Sequence, residues 1–249
     1  MSEPVRIAMW SGPRNISTAM MRSFENRADT AVIDEPFYAA YLAAAGVVHP
    51  MQNEVLASQP NDSAAVAKSL LGPIPDGRAV FYQKHMTHHM LPAFGRDWMH
   101  ACRNAFLIRA PVDVLASYAE VRDEASLEAI GLPQQRELFD AASDRLGHAP
   151  PVVDAYDVLR DPRGLLTALC RALGIPFSDK MLAWPPGKRA TDGVWAPAWY
   201  ASVERSTGFA PPREPIAFDA LRDDLKPIAR AAQPYYEHLA AHRLRPLAS

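Results

Sequence analysis

Five short apolar runs punctuate the chain, at residues 5–10, 30–33, 79–83, 105–108 and 152–154. Most are too short for helices and read as buried parallel strands. Amphipathic helical patterns lie between them: residues 18–27 after the first run, 64–71 before the third, 112–122 after the fourth and 162–173 after the fifth. Strands that alternate with helices predict an α/β protein, a three-layer α/β/α arrangement around a central parallel sheet of about five strands. Ligands in such sheets bind beyond the carboxyl ends of the strands. Residues 126–147 carry no strand signal and read as two helices parted near Gly131-Leu132-Pro133, placed to cover the site. Asp161-Pro162 reads as an N-cap with proline at the first helical position, and Gly174 with Pro176 as the stop. Residues 184–215 are rich in Pro, Gly and aromatics with little periodicity. Trp184, Trp195, Trp199 and Tyr200 there argue for an ordered, packed loop. From Phe218 onward the pattern is one or two closing helices, and residues 1–249 read as one domain without repeats.

Composition narrows the function classes. With 49% apolar residues, the 249-residue chain can bury a large core. A net charge of −2 gives no basic field for nucleic acid, so any anionic ligand must be held by local Arg and Lys groups. The only cysteines, Cys102 and Cys170, fit reduced buried thiols better than a disulfide framework. Arg6 and the Ser-Gly-Pro break interrupt the N-terminal apolar run, and no stretch is long enough to span a membrane, so the expectation is a cytoplasmic protein with no membrane partner.

Two stretches carry chemistry. The first is Ser11-Gly12-Pro13-Arg14-Asn15-Ile16-Ser17-Thr18, between the first strand and the helix after it. A strand–loop–helix unit aims free backbone N–H groups at one point, and the helix dipole favours an anion there. Arg14 adds a fixed positive charge, and Ser17 and Thr18 add hydroxyls. The second Gly and the Lys of a nucleotide-triphosphatase P-loop are missing, so an ordinary βα turn capped by Asn15 is the alternative. The second stretch runs from Arg109 to Ser117. Arg109 ends the fourth strand and Pro111 starts a helix, which puts Arg109 and Ser117 in place for a phosphate clamp. The alternative is an Arg109–Asp113 ion pair and a structural serine.

In these two stretches the chain resembles the sulfotransferases that use 3′-phosphoadenosine 5′-phosphosulfate (PAPS), a family on a P-loop nucleotide-binding type of fold. Pro13-Arg14-Asn15-Ile16-Ser17-Thr18 is similar to the family loop that holds the 5′-phosphosulfate, with Asn15-Ile16 in place of the usual Ser-Gly. Residues 109–117 match the family's Arg-x-Pro-x-Asp-x-x-x-Ser, whose Arg and Ser hold the 3′-phosphate. A late basic loop, Gly187-Lys188-Arg189-Ala190-Thr191-Asp192-Gly193-Val194-Trp195, is similar in character to the one that closes over the nucleotide. The resemblance implies PAPS as donor, adenosine 3′,5′-bisphosphate as product and no obligatory metal. It implies cofactor contacts from residues 11–18, Arg109, Ser117, Lys188 and Arg189.

It also directs the search for a base to take the acceptor's proton. Glu35 of Asp34-Glu35-Pro36 follows the second strand, and some relatives use the Glu of a Glu-Pro there. His85 is the second candidate, because many relatives carry Lys-x-His near the third strand's end. Here Lys84 and His85 are adjacent, so only one of them faces the site; Lys84 is a candidate to stabilise charge on the transferring group. Arg14 can stabilise charge on the bridging oxygen, but its pKa is too high for it to give up a proton. His85, His88 and His89 lack the spacing of a metal motif and have no evident carboxylate nearby, so no metal is expected. The acceptor is expected to be a small molecule, with Tyr38, Tyr41, Trp195 and Tyr200 as possible contacts. A small-molecule kinase, or a non-catalytic nucleotide-binding protein on the same scaffold, are the alternatives.

Overall fold

The computed structural model describes residues 3–120 and 125–247. Its centre is β1 (Val5–Ser11), flanked by β3 (Val80–Met86) and β4 (Arg103–Ile108), with β2 (Thr30–Asp34) and β5 (Val152–Asp154) outside them. The order is β2-β3-β1-β4-β5, and every pair is parallel. Parallel strands buried on both faces need apolar side chains at successive positions, and Ile7, Ala8, Met9 and Trp10 supply them without exposure. Ile7 and Met9 pack on one face with Met20, Phe24, Leu165 and Leu169. Ala8 and Trp10 pack on the other with Phe106, Leu138, Phe139 and Leu239.

The first face is covered by α1 (Ser17–Glu25) and α8 (Pro162–Ala172), the second by α4 (Ser63–Leu71), α6 (Leu132–Leu146) and α11 (Lys226–Ala240). The remaining helices are α2 (Tyr38–Ala45), α3 (Gln52–Ser58), α5 (Pro111–Ala119), α7 (Ala155–Arg160), α9 (Ala196–Trp199) and α10 (Ala201–Glu204). Asp161 caps α8 as expected, its carboxylate accepting from Gly164 N at 2.9 Å.

Three differences from the pattern-based reading stand out. β3 runs on to Met86, three residues beyond the expected strand, so Lys84 and His85 are strand residues that point to opposite faces. Residues 126–147 form one helix, not two, because Gly131 at φ 71° and Pro133 in the first turn set its start after a stretch of turns. Residues 38–58 hold two helices, α2 and α3, the first on an Ala-rich stretch that lacks an amphipathic stripe. Residues 121–122, the end of an expected helix, lie outside the described residues. No described helix is long and apolar enough to cross a membrane.

Candidate active site

The carboxyl ends of β1 to β4 open into a cleft of about 520 Å³, within the ordinary range for a small-molecule site. One end is built by the loop after β1. Arg14 and Ile16 adopt left-handed conformations, φ 60° and 56°, which non-glycine residues hold only when their surroundings impose them. Ile16 occupies the N-cap position of α1 and supplies no side-chain cap. The alternative of an ordinary turn capped by Asn15 therefore does not hold. Asn15 is buried and its amide donates to Leu107 O at 3.3 Å, drawn down to the end of β4. The first turn of α1 faces the cleft without a side-chain acceptor. Gly12 is required by close approach, since a Cβ there would sit 2.4 Å from Ile130 O.

Arg14, Arg109 and Ser117 come together directly. Arg14 Nε donates to Ser117 Oγ at 3.0 Å, and Arg109 Nη1 donates to Arg14 O at 2.8 Å. Burial holds the Arg109 pKa below its ordinary value; the Asp113 carboxylate opposes that shift and the guanidiniums of Arg14 and Arg213 add to it. Arg213 was not anticipated. It sits in the aperiodic segment after Gly208, and the proline-flanked Arg in Pro211-Pro212-Arg213 carries no motif to announce it. Asp113 holds this segment at the cleft by accepting from Ile216 N at 3.1 Å. Three guanidiniums around one end of a cleft offer the donors that a multiply charged anion needs, with Asp113, Glu120 and Glu214 also in the lining.

Lys188 and Arg189 are not brought to the cleft. The buried Arg22 guanidinium pairs with Asp192 at 2.6 Å and pulls the loop toward α1. Arg189 N donates to Asp192 Oδ2, and its side chain reaches Pro185 O and lies 3.7 Å from Glu25.

At the other end, β2 finishes on Asp34, and Glu35 follows at φ 40°, a strained conformation. Glu35 N donates to Lys84 O at 2.9 Å, which fixes the turn against β3. Lys84 Nζ donates to Asp34 Oδ1 at 2.8 Å, Glu35 Oε1 at 2.6 Å and Tyr200 Oη at 2.8 Å. Tyr200 Oη donates to Asp34 Oδ2 at 2.7 Å and accepts from Trp195 Nε1 at 3.1 Å; Gly193 N also donates to Asp34 Oδ2, at 3.1 Å. Trp195 and Tyr200 thus tie the late loop to this buried network. Burial raises the Glu35 pKa, the Asp34 charge adds to the rise, and Lys84 opposes it. Burial depresses the Lys84 ammonium, but the charges of Asp34 and Glu35 outweigh it and hold its pKa well above the ordinary value.

His85 faces away from the cleft. It is buried in an aromatic cluster, stacked on Trp10 at 4.5 Å and 5.1 Å from Trp98, and its Nε2 lies 3.3 Å from Gln83 Oε1. Burial pushes its pKa down to about 3. A Lys-x-His spacing puts both side chains on one strand face; here Met86, not a histidine, lines the cleft beside Lys84. The histidines that do line it are His49, His88 and His89. His89 lies between Tyr38 and Tyr41, with ring centroids at 4.5 and 4.8 Å. The absence of a carboxylate near the histidines is corrected by the fold, since Glu35 Oε2 is 4.0 Å from His89 Nδ1. Among the described residues no group of three or more His, Cys, Asp or Glu is arranged to hold a metal ion.

The cleft thus joins a cationic pocket to a buried carboxylate–ammonium site, the two needs of anionic group transfer to a proton-bearing nucleophile. The chain is 38% identical over 246 residues to the branched-chain-amino-acid aminotransferase-like protein 1 of Arabidopsis thaliana, covering 97% of this chain and 43% of that one. It spans about two fifths of the length of the curated relatives it matches. A sulfotransferase from Alicyclobacillus acidocaldarius is similar in fold, with a TM-score of 0.50 at 15% identity over 98% of both chains. The sulfotransferase domain from the curacin biosynthetic pathway is similar to the same degree, with a TM-score of 0.50 at 15% identity over 92% of this chain and 98% of that one. The family model described as the sulfotransferase domain matches residues 5–243, and the chain belongs to that family.

Proposed function

We propose that this protein transfers a sulfuryl group from PAPS to a hydroxyl or amine of a small-molecule acceptor and releases adenosine 3′,5′-bisphosphate. The observation that carries this reading is the meeting of Arg14, Arg109 and Ser117 in one cleft with Glu35 and Lys84. PAPS is a co-substrate, consumed at each turnover, and it supplies the activated sulfuryl group. The residues present suit it: a helix start without a side-chain cap, a loop glycine that leaves no room for a Cβ, and the guanidiniums of Arg14, Arg109 and Arg213 at one end of the cleft.

In this reading residues 11–18 cradle the 5′-phosphosulfate, and Arg14 stabilises the charge that develops on the leaving oxygen. Arg109, Ser117 and Arg213 take the 3′-phosphate, with Arg213 in the place expected of Lys188 and Arg189. Glu35 receives the acceptor's proton; its raised pKa moves it toward the range where a base is most effective. Lys84 is the only lysine among the described residues lining the cleft. It orients Glu35 and lowers the cost of burying the charge. Two carboxylates hold it as an ammonium rather than the free amine that a Schiff base needs, so the aminotransferase-like name of the Arabidopsis relative is not carried over.

The test is calorimetric titration with adenosine 3′,5′-bisphosphate and with ATP. The bisphosphate is expected to bind more tightly, and Arg109→Ala to weaken it roughly 10–100-fold, the value of one or two charge-assisted hydrogen bonds. Equal affinity for ATP, or no effect of Arg109→Ala, refutes the donor assignment.

A further inference from the structure

The acceptor end of the cleft holds a group that the reaction above leaves unused. His89 is 2% exposed, and its Nδ1 has no hydrogen-bond partner. Buried polar atoms are rarely left so, and an orphan on a residue that lines a cleft needs an explanation. The ring is not free to turn away, because it lies nearly parallel to Tyr38, at 13°, and to Tyr41, at 24°. Nδ1 lies 4.0 Å from Glu35 Oε2, too far for a direct hydrogen bond. Glu35 Oε1 is already engaged by Lys84 at 2.6 Å, which leaves Oε2 as the oxygen turned toward the imidazole.

We propose that the acceptor is an uncharged or cationic hydroxyl or amine compound whose attacking atom is held between Glu35 Oε2 and His89 Nδ1. The inference rests on the sulfuryl-transfer reading and extends it to the acceptor. One oxygen or nitrogen at ordinary hydrogen-bond distance, about 2.8 Å from each atom, spans the gap. As the bond from that atom to sulfur forms, its proton passes to Glu35 Oε2. The bond between sulfur and the bridging phosphate oxygen breaks, and its electron pair leaves with the bisphosphate. Burial, with the neighbouring His88, His49, Lys84 and His85, keeps the His89 pKa well below its ordinary value, so the imidazole is a neutral hydrogen-bonding partner.

Charge sets the acceptor class. Arg14, Arg109 and Arg213 are committed to the donor end, and Lys84 is shared between two carboxylates. No lysine or arginine among the described cleft residues is left at the Glu35 end to pair with an anionic acceptor. Tyr38, Trp199 and Val203 give that end a largely apolar wall.

The test uses the full chain, PAPS and two pairs of probes: benzylamine with benzyl alcohol, and 4-hydroxybenzamide with 4-hydroxybenzoate. Release of adenosine 3′,5′-bisphosphate reports transfer, and calorimetric binding of that nucleotide is measured in every variant. Turnover of an uncharged or cationic probe is expected, with 4-hydroxybenzoate at least about tenfold poorer than the amide, since unpaired like charge is costly at a desolvated site. His89→Asn, whose amide reaches the place of Nδ1, is expected to keep kcat/KM within about tenfold, and His89→Gln, whose amide reaches the place of Nε2, to lose about 10²-fold. Both are expected to bind the nucleotide as the wild type does. Equal rates in the two variants, a preference for the benzoate, or no turnover of any neutral or cationic probe by a nucleotide-binding enzyme overturns the proposal. Failure of the wild type to bind the nucleotide overturns the donor reading, and this inference with it.

Discussion

Lys84→Met is the most searching perturbation of this fold, because it removes one cation from between two buried carboxylates. Lys84 and Asp34 are each almost wholly buried, and Glu35 is 9% exposed. Loss of the ammonium leaves Asp34 with two donors, Tyr200 Oη and Gly193 N, but strips Glu35 of its Lys84 bond. Removing one partner of a buried pair costs about 3–5 kcal/mol, because the other charge stays buried without compensation. For a chain of this size, about 2–4 °C of Tm per kcal/mol makes that a fall of roughly 6–20 °C near neutral pH.

The pH dependence gives the sharper signature. Glu35 already has a folded pKa above its ordinary value of 4.5, so its contribution to stability is fully present below that value and is lost as pH rises through the folded pKa. Lys84 is the main influence pulling that pKa down, and its removal raises the pKa further. The deficit of Lys84→Met relative to wild type should therefore narrow as pH falls from 8 toward 5, and adding Glu35→Gln should recover part of it. Thermal unfolding followed by circular dichroism across that range measures both. A Tm within about 2 °C of wild type at pH 7.5, or a deficit independent of pH, would refute the picture of a desolvated ion cluster.

Three further outcomes follow from the same geometry. Glu35→Gln should lower kcat about 10²–10⁴-fold in a sulfuryl-transfer assay while leaving adenosine 3′,5′-bisphosphate affinity unchanged; near wild-type turnover would remove Glu35 as the base. Gly12→Ala sets a Cβ against Ile130 O, a backbone atom with little room to yield, and should destabilise the fold by about 1–3 kcal/mol in a denaturant titration and weaken nucleotide binding; unchanged stability would mean that the 125–131 stretch moves freely. His85→Leu should lower Tm through loss of its stacking on Trp10 but leave kcat within about threefold, since His85 does not reach the cleft; a loss of turnover in a stable variant would restore it as a candidate base.

Much of the scaffold was legible along the chain. Apolar runs marked all five strands, because parallel strands buried on both faces are mostly apolar; the buried polar run Gln83-Lys84-His85 is what hid the end of β3. The cap at Asp161 and the strand–loop–helix after β1 rest on contacts within a few residues, and such local chemistry is written in sequence order. α2 was less legible, since its near-uniform apolar stretch is set by the packing of Tyr38, Ala39 and Leu42 rather than by an amphipathic stripe.

The sequence by itself determined the strand-and-helix alternation, and it marked Arg14, Arg109 and Glu35 as candidates because each lies beside a strand end where an α/β sheet binds ligands, and Ser117 by its spacing from Arg109 along the helix that follows. Tertiary structure alone decided which residues meet. The extra length of β3 turned Lys84 into the cleft and His85 into the core, a choice that alternation permits either way until the sheet has a register. The pairing of Arg22 with Asp192 drew Lys188 and Arg189 aside, and Asp113 brought Arg213 to the cleft from about a hundred residues away. His89 and Glu35 face each other for the same reason. Electrostatic and packing partners distant along the chain are chosen by the folded surface, and no spacing in the sequence encodes that choice.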